Sequence, residues 1–143
     1  MNKIHVRLIP MSHELEFPNR TIEDIQNNFF LGNEMPLSAG GNSRQYFSKK
    51  GLLNVEEDDF LLFQMNGTII ASAELFSGIT NISDDDVYKA VYLLKKNSIK
   101  VFKPITKEEL IQHCPKFNDF GQGKTDLSDY DLDIDWLLNR IND

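Results

Sequence analysis

Residues 40 to 50, GGNSRQYFSKK, gather the side chains best suited to gripping an anionic or planar ligand. Gly40 and Gly41 let the backbone approach a phosphate closely, and successive N–H groups there can form an anion nest. Asn42 and Ser43 continue the small polar run. Arg44 can fork onto phosphate or guanine, and Tyr46 or Phe47 can stack a base. Lys49 and Lys50 add attraction that ignores base identity. The competing reading is plainer: Tyr46, Phe47 and Leu52 anchor a linking segment, and the glycines merely allow it to turn. The length of the irregular stretch, residues 32 to 51 with four of the eight glycines, brings the functional reading level with the plainer one.

Other chemistry falls short of its pattern. NDFGQGKT (118–125) ends like a phosphate-binding loop, but Asn118 stands where the pattern needs glycine, and Pro115 rather than a buried strand comes before it. DYDLDID (129–135) imitates the start of a calcium loop. Ile134 replaces its glycine and Arg140 its bidentate glutamate, and acids at a helix N-terminus explain the same residues. EEDD (56–59) with Glu74 suggests magnesium-binding carboxylates, yet Phe76 occupies the place of the accompanying lysine, so a turn before a strand is expected. The histidines are His5, His13 and His113; no C-x-x-C or H-x-x-x-H occurs, and no metal or cofactor site is expected. Cys114, beside Leu110 and Ile111, reads as core filling rather than a nucleophile. With no catalytic constellation, the chain is not read as an enzyme.

The 143 residues are read as one domain, with a net charge of −7. That charge argues against a broadly basic nucleic-acid binder. Its distribution is uneven: +1 over residues 1–50, −3 over 51–104 and −5 over 105–143, so a locally basic surface remains open to the first third. No apolar run approaches a membrane span, and the start MNKIHVRLIP is not of signal-peptide type. The single cysteine suits a reducing cytoplasm.

Elements follow from periodicity. KIHVRLI (3–9) alternates as a half-buried strand ended by Pro10. Ile22, Ile25, Phe29 and Phe30 make one helical face, capped by Thr21 and stopped by a left-handed Gly32 or Asn33. DFLLFQMNGTIIASAELF (59–76) reads as a hairpin about a type I′ Asn66-Gly67 turn, its first strand apolar on both faces. VYKAVYLL (87–94) and SIKVF (98–102) read as a second hairpin. Thr106 and Glu109 have capping-box spacing, and Tyr130, Ile134, Leu137, Leu138 and Ile141 stripe a last helix capped by Ser128. The expected class is α+β: a small, mainly antiparallel β-barrel, closed or half-closed, flanked by short helices.

The stretch from Arg44 to Ile79 carries a resemblance. Asp59, the strand Leu61 to Gln64 and the returning strand Ile69 to Ala73 resemble, in character, the central segment of PUA-like domains of the EVE, ASCH and YTH-related branch. Two departures are EEDD, where glycine usually precedes the aspartate, and Ser72, where glycine is common. The tryptophans of an aromatic cage are missing, since Trp136 falls in the last helix. The resemblance implies a pseudo-barrel over residues 1–143 with a groove for RNA or DNA, in several branches for a modified or extruded base. The expected nucleic-acid-binding set is Gly40, Gly41, Asn42, Ser43, Arg44, Tyr46, Lys49, Lys50 and Gln64. The alternative function is an acidic protein-interaction module, such as a subunit of a restriction or defence system, or a DNA mimic.

Overall fold

Phe60 to Thr80 is the spine of the molecule. β3 (Phe60–Met65) turns through Asn66 and Gly67 and returns as β4 (Thr68–Thr80). The two turn residues have φ of 52° and 79°, both left-handed, as a type I′ turn demands. The computed structural model describes residues 5–11, 17–32, 34–37, 41, 43–48, 59–80, 90–117 and 125–142. Leu61, Leu62 and Phe63 are all 0% exposed, so β3 is buried on both faces, as its unbroken apolar run predicts. Each such side chain contributes roughly 1.5–3 kcal/mol relative to exposure.

β1 (Val6–Pro10) lies parallel to β3, with Val6 opposite Phe60, and β7 (Thr125–Asp126) pairs antiparallel on its outer edge. The far edge of β4 is shared. Thr68 to Ser72 pair with β6 (Lys100–Thr106), and Leu75 onward pairs with β5 (Ala90–Lys95), which carries β2 (Ser43–Ser48). All pairings but β1–β3 are antiparallel, and the class is α+β. The strand path runs β2-β5-β4-β3-β1-β7. Its two end strands do not pair, so the described strands make an open sheet rather than the closed barrel. Register shifts at Phe63/Gln64, Ile69/Ala71 and Leu75/Ser77 bend it.

Two expectations need correction. β5 and β6 do not pair with each other; a 3₁₀ turn, Lys96–Ser98, steps the chain from one part of the β4 edge to the next. Residues 43–48, read as loop, are strand β2. Their polar sequence suits a strand because β2 is an edge, paired fully on one side only.

Helices cover both faces. Thr21 Oγ1 accepts from Asp24 N at 3.0 Å, starting α1 (Ile22–Asp24), which continues as π-helix over Ile25–Phe30. Ile25 and Phe30 pack with Ile9, Phe63, Tyr46 and Tyr92 in a first apolar cluster. Gly32 is not left-handed, and Asn33, the other expected stop, lies outside the described residues. Gly32 is small by necessity: a Cβ there would lie 2.4 Å from the Asn28 carbonyl oxygen. On the other face stand α2 (Lys107–His113) and α3 (Ile134–Ile141). Thr106 Oγ1 accepts from Glu109 N at 3.1 Å, as its spacing predicts. Asp133 rather than Ser128 caps α3, accepting from Trp136 N at 3.1 Å. Leu110, Leu137 and Ile141 meet Val6, Leu8 and Leu62 in a second cluster. Among the described residues no helix is long and apolar enough to cross a membrane.

Candidate nucleic-acid interface

Ser43 lies opposite Lys95 and Arg44 opposite Leu94. The start of β2 and the end of β5 therefore share one end of the sheet. The turn that follows β5 is clamped: Ser98 Oγ donates to the Lys95 carbonyl at 2.8 Å and accepts from Glu74 N at 2.7 Å. Lys96, its first residue, is exposed. The backbones of three cationic residues, Arg44, Lys95 and Lys96, thus lie at one end of the sheet, its rim, with Arg44 on the face of Leu94 and Lys95 on that of Ser43.

Arg44 shares a strand face with Tyr46, two residues on. Tyr46 sits in the first cluster, and Arg44 stands half-buried at that cluster's edge. One of its N–H groups, on Nη1, donates to the Met35 carbonyl at 2.7 Å. The segment supplying that carbonyl is fixed in turn. Gln45 N donates to Pro36 O at 2.8 Å, Gln45 Nε2 donates to Leu37 O at 3.1 Å, and Leu37 bridges to Arg44. Met35, 1% exposed, pins it to the core. Gly41 allows the connection to turn, with φ of +74°.

Arg44 differs from the other described arginines. Arg7 meets Asp59 at 3.2 Å. Arg20 forks onto Glu34 with two bonds of 2.7 Å and meets Asp24 at 2.6 Å; those carboxylates push its pKa still higher. Arg140 meets Glu109 at 2.7 Å. Each of these is neutralised by a carboxylate, whereas Arg44 rests on a neutral carbonyl. Its guanidinium makes no other hydrogen bond or ion pair among the described residues. A guanidinium held at one corner, with no carboxylate partner among the described residues, is pre-organised for an anion.

The expected set divides. Gly41, Ser43 and Arg44 come together at this rim, although Ser43 is 0% exposed. Tyr46 does not belong to a binding surface. It is 1% exposed, with its ring 5.2 Å from that of Phe63 and 6.0 Å from that of Tyr92, so it is core and stacks no base. Gln64 lies away from this rim, since it follows Leu62 on the opposite face of the sheet and pairs with Ile69. Gly40, Asn42, Lys49 and Lys50 lie outside the described residues. Lys95 and Lys96, at the same end of the sheet, stand outside the expected set. The signal for them was a run of five lysines without one acid between 95 and 107.

Cys114 is core filling, as expected: it is 0% exposed and its thiol donates to Tyr130 O at 3.3 Å. Burial pushes its pKa up to about 11, which leaves little thiolate near neutrality. His113 stacks flat on Trp136, ring centroids 4.0 Å apart.

No family model matches the sequence, and no curated protein matches it. Solved structures do. A tyrosine-to-phenylalanine variant of ASCH from Zymomonas mobilis superposes with a TM-score of 0.51 at 14% identity, over 94% of this chain and 96% of that one. A serine-to-alanine variant of the same protein gives 0.51 at 12% identity, over 94% of each chain. At such identity the likeness is one of backbone path. The chain shares the fold of these ASCH structures.

Proposed function

We propose that the chain is a non-catalytic nucleic-acid-binding module of PUA-like type, which takes the phosphate backbone at the rim formed by Arg44, Lys95 and Lys96. The observation that supports it is the anchoring of Arg44 on the Met35 carbonyl with no carboxylate partner among the described residues. Tyr46 contributes no base stacking to this reading, because it is in the core. A net charge of −7 repels a polyanion at long range. At physiological salt, charges more than about 8 Å apart are largely screened, so a local cationic rim can still engage.

Fluorescence anisotropy with single-stranded and duplex oligonucleotides, titrated at several salt concentrations, tests this. Binding should weaken as salt rises. Arg44→Ala should lower affinity by roughly tenfold, the scale of one lost charge-assisted contact. Arg44→Lys should recover only part, since a point charge replaces a fork. Salt-insensitive binding, or wild-type affinity in Arg44→Ala, refutes the proposal.

A further inference from the structure

β6 exposes Lys100, Lys103 and Thr106, every third residue, where a regular strand alternates with period two. The cause is the irregular pairing with β4. Ile69 pairs with Ile105 and Ala71 with Val101, so the single residue Ile70 faces three, Phe102 to Pro104. Gln26, in the π-helical segment that follows α1, fills the break: its side-chain amide donates to Ile70 O at 2.9 Å and Phe102 O at 2.7 Å. From the other side Arg140 Nη2 donates to Lys103 O at 2.7 Å. In an unbroken strand Lys100 and Lys103 would face opposite sides of the sheet. The bulge leaves both in solvent.

These lysines are unusual in so acidic a chain. Lys96 and Lys103 enter no ion pair among the described residues, and the Lys100 ammonium meets only the neutral side-chain oxygen of Asn142. Of the acids that follow, Glu109 is neutralised by Arg140, and Glu108 marks the end of the run. Because of the bulge, Lys100 and Lys103 lie closer along the strand than the roughly 10 Å that three residues of regular strand would span. Lys96 joins them to the rim, since the turn it opens leads from the end of β5 to the start of β6.

We infer that Lys96, Lys100 and Lys103 form a track for successive phosphates of a nucleic-acid strand, continuing from Arg44. A line of ammonium groups with no carboxylate partner among the described residues suits a ligand whose anionic charge repeats along its length. The inference rests on the binding function proposed above, and adds the strand's path and its indifference to sequence.

The triple variant Lys96→Gln/Lys100→Gln/Lys103→Gln tests it, beside Arg44→Ala and wild type, by anisotropy with a labelled single-stranded oligonucleotide from 50 to 200 mM salt. The substituted residues are exposed, and a matching thermal transition will show that the variant folds. The triple variant should bind at least tenfold more weakly at the lowest salt. Its slope of log affinity against log salt should be shallower by about 2, at about 0.7 per phosphate contact on a single strand. Unchanged affinity and slope, with Arg44→Ala still weakened, overturns the track and leaves the rim to Arg44 and Lys95. A weakened triple variant with a normal Arg44→Ala upholds the track and removes the rim. No binding by wild type removes both. Polyglutamate that displaces the oligonucleotide at equal charge concentration overturns the track as a nucleic-acid site in favour of an acidic protein.

Discussion

Replacing Gln26 by Leu is the sharpest test of how the sheet is held open. The side chain keeps its bulk, but two hydrogen bonds of 2.9 and 2.7 Å disappear, and the carbonyls of Ile70 and Phe102 lose their donor. A net bond contributes about 1 kcal/mol, and a stranded buried acceptor costs about 1–3. Gln26 is itself only half-buried, so water can reach part of the gap. That places the loss at the lower end, about 2–3 kcal/mol. For a chain of 143 residues, an unfolding entropy near 2.1 cal/mol/K per residue converts this to a fall in Tm of about 7–10 °C. Gln26→Glu should be worse, because a carboxylate then faces two carbonyl oxygens. Urea unfolding supplies the free energies, and differential scanning calorimetry the temperatures. Gln26→Leu within about 0.5 kcal/mol of wild type, or Gln26→Glu more stable than Gln26→Leu, would refute the role assigned to this amide.

Three further substitutions have defined outcomes. Gly32→Ala drives a Cβ to 2.4 Å from a backbone oxygen, so the helix end must shift; a loss of about 1–3 kcal/mol is expected in urea unfolding, and no loss would show that the approach relaxes freely. Ser72 is fully buried with a hydroxyl that has no partner among the described residues. Ser72→Ala should therefore be neutral or stabilising by up to about 1 kcal/mol, and a clear destabilisation would reveal a hidden acceptor. Asp24 is held below its ordinary 3.8 by Arg20 first and Asn28 second. Since its folded value is the lower one, its contribution is complete above pH 3.8 and fades as pH falls through that folded value. The stability gap between wild type and Asp24→Asn should close on acidification, and a gap that widens would contradict the pairing.

What the sequence disclosed was local. The Asn66-Gly67 turn, the Thr21 and Thr106 caps and the double-sided burial of Leu61 to Phe63 are each written within a few residues. What it concealed was partner choice. VYLL and SIKVF looked like a hairpin because a short turn joins them, but the edge of β4 is long enough to take each strand separately. Nothing near Val6 announces that it will lie beside Phe60. Tyr46 was misassigned for the same reason: an aromatic in a polar run looks available until the pairing of Arg44 with Leu94 fixes which way the strand faces. Arg44 was legible as a residue type, while its anchor at Met35 needed the fold. The lysines of β6 were visible in composition, but only the bulge shows that Lys100 and Lys103 are exposed together.

The thirteen-residue strand β4 has one further consequence. Because it serves as the common beam for β3 along one edge and for both β6 and β5 along the other, neither wing of the sheet can come apart without stripping hydrogen bonds from the same backbone. Melting should accordingly be one cooperative event, and the amides of β4 that lie within these ladders should be among the last in the molecule to exchange with solvent.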